Sequence, residues 1–387
     1  MKRGVITTTL DWGHPPRQLF ERMVSLMRVV FELMAEEYPT DEIIKRFGDP
    51  VCVQSLGCVA GFDWNASGLT TTLMAAIKIA IEPMGKELGI AVCGGKGKTS
   101  LKTPEDIKKW GDKWGLSEQT VNRLIKTSRL TAKVDNNLIQ DGFQIYHHNL
   151  IFDRRGNWAV IQQGMNTGIK RARRYHWANA NQFLDDPHSA IHSTIALSKV
   201  LNVASKESEK NRKISLQWIS NPTTVEKDLK LIEKVQTRLS YKKTYKTKGL
   251  TLFESAVAPI EFKHHPVVKE NFFLSPYVKK ILLRLARSPK PSSYIELLLR
   301  EGVGPAVIRS LALTAEVIYG AKPSYKDPAR YTFAHGGKDG TPFPVAYSTY
   351  DKTLSILSKA IKKAPVDNKS ILTKNLNFVT QRLLKRQ

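Results

Sequence analysis

The sequence is poor in cysteine, with three in 387 residues at Cys52, Cys58 and Cys93. The number is odd and no two form a C-x-x-C pair. That argues against a structural zinc site or a disulfide framework and for a reducing, cytoplasmic setting. Long apolar runs are also lacking: the longest, Leu73 to Ile81, is broken by Lys78. A bilayer span needs about 20 apolar residues. The opening MKRGVITTTLDWGHPP carries Asp11 and His14 where a signal peptide keeps its apolar stretch. No repeat period is visible. Carboxylates are scarce as well, 35 Asp and Glu against 60 Lys and Arg, leaving a net charge of +25.

An excess of that size, on a chain whose hydrophobic fraction is an ordinary 41%, points to a polyanionic partner. Nucleic acid fits, DNA more than RNA, because Lys and Arg that neutralise phosphates release counterions. A membrane surface would attract the same charge. However, no long helix carries lysines along one face and there is no lipidation motif, so no membrane partner is expected. A Walker loop is missing too. The segment GGKGKTS after the apolar run Ile90 to Cys93 would need glycine at position 92, which is Val92. What remains is a glycine-rich stretch able to turn backbone N–H groups toward an anion, with Lys96 and Lys98 adding charge. Its alternative is a flexible basic loop.

The chemistry that is present concentrates between Asp141 and Trp177, DGFQIYHHNLIFDRRGNWAVIQQGMNTGIKRARRYHW. Two alternating runs, Phe143 to Phe152 and Trp158 to Met165, flank the turn signal RRGN and predict a β-hairpin. A turn centred on Arg154 to Gly156 places His147 opposite Gln162 or Gln163, and His148 opposite Gln162. A basic run follows: Lys170, Arg171, Arg173 and Arg174, then Tyr175 and His176. Polar groups in paired strands mark either a site or a solvated sheet face.

Elsewhere, Arg17 to Tyr38 has helical apolar spacing, and Thr40 is placed to cap a short helix over Glu42 to Phe47. Val51 to Phe62 leans toward strand and empties into Asp63-Trp64-Asn65-Ala66-Ser67-Gly68. That loop presents Asp63 as a metal or catalytic carboxylate, or caps the helix Thr70 to Ile81. Lys102 to Ala132 predicts two helices, the second capped by Ser117. Asn179 to Ser208 is expected to be helical from Asp185-Asp186-Pro187-His188, with His188 and His192 as a structural pair on one face. Ser205 to Arg212 is expected to be exposed. Val225 to Lys248 is a Lys-rich helical connector.

Three further helices are expected at Pro276 to Arg287, Ser293 to Arg300 and Ala306 to Tyr319. The second and third, joined by Glu301-Gly302-Val303-Gly304-Pro305, resemble a helix-hairpin-helix. In that motif glycines such as Gly302 and Gly304 let backbone N–H groups grip a phosphate. The later FAHGGKDG, with His335 and Lys338, is either another phosphate contact or a loop with local turn chemistry.

Taken together, GFDWNASG, GGKGK, IYHHN, QQGMN, RRYHW, the GVGP hairpin and FAHGGKDG resemble the archaeal and bacterial domain-of-unknown-function family DUF763. The likeness spans most of the chain and implies one protein design, with no catalytic assignment to carry over. The fold expected is α+β. A mixed α/β domain over 1–180 is built on the hairpin, a basic helical connector covers 181–265, and an all-helical helix-hairpin-helix domain covers 266–387.

The function expected is DNA binding with metal-dependent phosphodiester hydrolysis, in DNA repair or processing. Asp63, Asp141 and Asp153 would hold Mg2+ or Mn2+. His147 or His148 would be ligand or general base, and Gln162 and Gln163 would orient water or phosphate. Lys96, Lys98, Arg171, Arg173, Arg174, Gly302, Gly304, His335 and Lys338 would contact nucleic acid. Two alternatives stand beside this. One is a helix-hairpin-helix glycosylase using Asp327, though it lacks a lysine at the hairpin exit and a C-terminal cysteine cluster. The other is a non-enzymatic nucleic-acid-binding protein.

Overall fold

Alternation of apolar and polar residues on either side of Arg154-Arg155-Gly156 folds as the expected hairpin, strands β4 (Gln144–Asp153) and β5 (Trp158–Asn166). Asp153 closes its turn. One carboxylate oxygen accepts from the N–H groups of Arg155 and Asn157, each at 2.9 Å, and the other from the Asn157 carboxamide and the Thr40 hydroxyl, each at 2.9 Å. The hairpin is the centre of a five-stranded antiparallel sheet in which β1 (Val5–Thr9), β6 (Arg171–Ala178), β5, β4 and β2 (Ile90–Lys96) lie in that order. The computed structural model describes residues 5–9, 15–62, 67–188, 197, 200–245 and 274–328.

Both faces of this sheet are covered. Against one lie α1 (Arg17–Glu37), α2 (Thr40–Phe47), α3 (Pro50–Val59) and α4 (Gly68–Ile81). Met27, Phe31, Ile43, Leu69, Leu73 and Ile77 pack there against Val92, Ile151, Ala159 and Ile161. A short helix α5 (Gly85–Leu88) leads into β2. Against the other face lie α6 (Thr103–Trp114) and α7 (Glu118–Lys133). Ser117 caps α7 as expected, accepting from the Thr120 N–H at 3.2 Å.

The same second core takes in β3 (Ile139–Gln140), β7 (Leu201–Asn202), α8 (Glu209–Ile219) and α9 (Pro222–Tyr245). It continues into α10 (Pro276–Arg287), α11 (Tyr294–Leu299) and α12 (Pro305–Val317). Its residues run without a break from Cys93, Leu150 and Trp177 to Leu282, Leu297 and Leu311. The fold is α+β, as expected. The division anticipated after 180 falls inside this one core, and the one after 265 lies outside the described residues. The chain groups instead into Met1–Tyr331 and Thr332–Gln387, and every described residue belongs to the first. No helix among the described residues is long and apolar enough to cross a membrane.

Four local expectations are corrected. Residues 51–62 are mostly helix, because Asp49 caps the segment at 2.9 Å from the Val51 N–H and Pro50 sits at the first helical position. Thr40 is the first residue of α2 and spends its hydroxyl on Asp153 instead of capping. Residues 179–188 do not begin a helix: Asp185 and Asp186 both adopt φ of +61°, the left-handed region that stops one. Arg212 is buried and donates to the carbonyls of Val203 and Ser205, each at 2.6 Å, so the 205–212 stretch is not simply a solvated face. The glycine-rich GGKGKTS continues β2 as far as Lys96 and only then turns, through Gly97–Lys102. Gly94, at φ +90°, is required there: a Cβ would lie 2.3 Å from the His148 carbonyl oxygen.

Candidate functional site on the central sheet

The register decides which side chains meet. One row across the sheet is Lys96, His147, Gln163 and Arg174; the next is Gly95, His148, Gln162 and Tyr175. His147 therefore faces Gln163 and His148 faces Gln162, one of the two pairings the turn allowed. Successive residues of a strand point to opposite faces, so the two histidines lie on opposite sides of the sheet.

On the His148 side, hydrogen bonds form a chain. Gln162 donates its amide to Asp135 and to the Thr131 carbonyl at 3.1 Å, which turns its oxygen toward His148 Nδ1 at 2.9 Å. Nδ1 then carries the proton, and Nε2 accepts from the Ser128 hydroxyl at 2.8 Å. Asp135, on the turn that follows α7, also accepts from Trp177 Nε1 at 2.8 Å and pairs with His188 Nε2 at 2.6 Å. Burial lowers the proton affinity of His148, while its bond to Gln162 opposes that.

Beside this chain, Arg173 is wholly buried between two carboxylates. It donates to Asp141 at 2.9 Å and in bidentate fashion to Asp327 at 3.0 Å. Asp141 also accepts from the Tyr175 hydroxyl at 2.6 Å and from the Phe143 N–H at 3.0 Å. Burial pushes the Asp141 carboxyl up to about 6, with Arg173 and Tyr175 pulling the other way. Burial works against the Arg173 charge, but Asp141 and Asp327 overcome it and hold the guanidinium protonated. One cation thus serves two carboxylates: burial is the main reason that the Asp141 carboxyl rises, and the neighbouring Asp327 charge adds to it.

On the His147 side, Arg174 is matched. It donates to His176 at 2.8 Å, Thr70 at 3.1 Å and Gln54 at 2.6 Å, and His176 in turn bonds the Phe47 carbonyl at 2.8 Å. The neighbouring positions are not. His147 is 1% exposed, and neither ring nitrogen meets hydrogen-bond geometry with a partner among the described residues; the Asn149 side chain is the polar group near enough to act on it. Asn149 donates to the Cys93 carbonyl at 3.0 Å, and its own oxygen meets no partner at hydrogen-bond geometry among the described residues. Gln163 donates to the Ser67 carbonyl at 3.1 Å and to Tyr146 Oη at 2.6 Å, and its oxygen is unmatched too. An unsatisfied buried polar group costs about 1–3 kcal/mol, and native proteins keep few of them. Burial, with His148, Lys96 and Arg174 adding to it, drives the His147 imidazole down to about 3, so it is neutral at physiological pH; nearby Asn149 opposes the shift.

The anticipated Mg2+ or Mn2+ centre is not assembled by Asp141 and Asp153. Asp153 is the last residue of β4 and Asp141 lies just before its first, so the two stand at opposite ends of a strand of 10 residues that spans about 30 Å. The lone pairs of Asp141 are taken up by Arg173, Tyr175 and backbone, and those of Asp153 by the turn it closes. Among the described residues no group of three or more His, Cys, Asp or Glu could hold a metal. Asp63, His192, His335 and Lys338 lie outside the described residues.

Arg173 and Arg174 are corrected as nucleic-acid contacts, because both are buried and spent on internal partners. Arg171 is half-buried, whereas Lys96, Lys98 and Lys102 are exposed. Gly302 has φ of +78° and Gly304 precedes α12. The carbonyls of the turn between α11 and α12 face inward: Lys133 Nζ donates to Leu298 at 2.7 Å, Val303 at 3.2 Å and Arg300 at 3.3 Å.

Sequence reasoning missed Ser128, Lys133, Asp135 and Asn149. For Asn149 the signal was available, since it lies two residues from His147 and so on the same strand face. For the others no local signal exists. No curated protein and no solved structure matches the sequence. Residues 4–345 match the sequence model of the family described as Protein of unknown function (DUF763), and the chain belongs to that family.

Proposed function

We propose that the chain binds nucleic acid, DNA before RNA, and hydrolyses a backbone phosphodiester on the His147 side of the sheet. The observation that carries this is the end of β2. Lys96, Lys98 and Lys102 are exposed and form no ion pair among the described residues, and Lys96 is the register partner of His147. Some cations are paired, such as Lys78 with Asp106, Lys45 with Asp41 and Lys279 with Glu233, whereas these three, like the exposed Lys86, Lys108, Lys126 and Lys290, form no ion pair among the described residues; what sets Lys96 apart is its place opposite His147. An exposed Lys96 opposite a buried neutral imidazole supports a phosphate held at the lysines on the sheet's edge, with the imidazole and carboxamides turned to water. Hydrolysis adds water across a P–O bond. Lys96 would neutralise the phosphate, while His147 and Gln163 would orient the attacking water. The low proton affinity of His147 suits hydrogen bonding to that water better than removal of its proton.

The turn between α11 and α12 supports a second backbone contact of the helix-hairpin-helix kind. With the Arg300 and Val303 carbonyls aimed at Lys133, the trans peptide geometry turns the N–H groups of Glu301 and Gly304 the other way. Glycosylase chemistry through Asp327 is not favoured, because both its oxygens are bonded to Arg173.

The test is anisotropy with labelled duplex, flap, nicked and single-stranded DNA and matched RNA over a salt series. The same substrates are then incubated with chelator-treated and metal-restored protein. Steeply salt-dependent DNA binding, with cleavage abolished in His147→Ala, is expected. Binding without cleavage leaves the non-enzymatic alternative, and no binding overturns the proposal.

A further inference from the structure

We propose that His147, Asn149 and Gln163 form a binding site for one first-row divalent cation of the Mn2+ class. These three residues share one face of adjacent strands β4 and β5, and each is 1% exposed or less. Among the described residues, the ring nitrogens of His147 and the carbonyl oxygens of the two carboxamides meet no partner at hydrogen-bond geometry, and Asn149 is the polar neighbour that acts on the imidazole.

The amide orientations are fixed, not arbitrary. The Asn149 amide nitrogen is held by the Cys93 carbonyl, and the Gln163 amide nitrogen by the Ser67 carbonyl and Tyr146. The atoms left over are therefore oxygens. Lone pairs call for a cation or a hydrogen-bond donor, and two of them repel an anion.

One imidazole nitrogen with two neutral oxygens is a mixed N/O set. It suits Mn2+ and its neighbours better than Mg2+, which favours carboxylates and its own water. The set contains a single histidine and no carboxylate, so it escapes any search for clustered acids and histidines. The rival occupant is a single water, which offers two protons to these lone pairs and would leave the protein without metal affinity. Lys96 and Arg174 on the same row oppose a bare cation, so the ion should bind weakly until a carboxylate is added to the set.

The experiment is a Mn2+ titration of the full-length, metal-stripped chain without DNA, following free Mn2+ by electron paramagnetic resonance. Its outcome is thus separate from that of the nucleic-acid proposal. Wild type should show one saturable site below about 1 mM. His147→Leu should weaken it at least tenfold, and Asn149→Asp and Gln163→Glu, which add a negative oxygen at nearly unchanged shape, should each tighten it about tenfold. Ser128→Ala, on the opposite face, should leave it unchanged. If His147→Leu does not fold by circular dichroism, the two isosteric variants decide alone. No saturable site in wild type, or unchanged affinity in both isosteric variants, overturns the inference.

Discussion

On one face of β4, His148 bonds Ser128 at 2.8 Å and Gln162 at 2.9 Å. On the other face His147, the residue before it, meets no partner at hydrogen-bond geometry among the described residues. Both are buried, both sit opposite a glutamine, and both lose proton affinity to burial. Their difference lies only in what reaches them. Helix α7 and the turn after it bring Ser128, Thr131 and Asp135 to the His148 side, where each group finds a partner. The helices over the His147 side satisfy Arg174 and His176 and, among the described residues, leave the His147 ring and the oxygens of Asn149 and Gln163 unmatched. A polar residue in a sheet core is therefore not by itself a site. The His148 side is a scaffold whose atoms answer one another, and the His147 side is where the protein tolerates an unpaid cost.

The comparison can be broken or sharpened by substitution. On the scaffold side, Arg173→Met would strand Asp141 and Asp327 as buried charges. We expect a loss of about 3–5 kcal/mol in urea denaturation, and a loss under about 1 kcal/mol would show that the pairing is not structural. Lys133→Met removes a charged donor from three carbonyls and should cost about 1.5–3 kcal/mol. Hydrogen exchange should then rise first at residues 298–304, and uniform exchange across the fold would argue against a local clamp.

Acid titration gives a smaller effect with a definite sign. The folded Asp141 carboxyl, at about 6, lies above its unfolded value of 3.8. Between those values the folded state holds more protons, so this group's contribution to stability falls as pH rises from 4 to 6. Asp141→Asn has no proton to lose. The thermal midpoint of wild type minus that of the variant should therefore decline across this window, and a rise would mean that Arg173 outweighs burial. On the His147 side, replacing Lys96, Lys98 and Lys102 together by Gln should leave stability unchanged. It should lower the slope of log K against log salt for duplex DNA by about 0.9 per lysine that meets a phosphate; an unchanged slope removes this edge from the interface.

The hairpin and its register were legible because turn chemistry and a period of two are local signals. Helices with clear caps or proline starts, such as Glu118–Lys133 and Pro276–Arg287, were legible for the same reason. The run from Val51 to Phe62 was misread because an apolar stretch without clear period suits strand and buried helix alike. The basic run from Lys170 to Arg174 was expected at the surface because charge usually predicts exposure. Its inward arginines are matched by Asp327, 154 residues away, and by Gln54, 120 residues away. Pairings over such separations leave no trace in a local pattern. The same holds for Asp135 under Gln162 and for Lys133 beneath the turn that follows α11.

The most direct test of the contrast is the unfolding free energy of His147→Leu beside that of His148→Leu, measured in urea under identical conditions. His148→Leu strands the Ser128 hydroxyl and the Gln162 oxygen and should lose about 2 kcal/mol, while His147→Leu removes two unmatched nitrogens and should lose nothing or gain. Equal losses in the two variants would contradict the account.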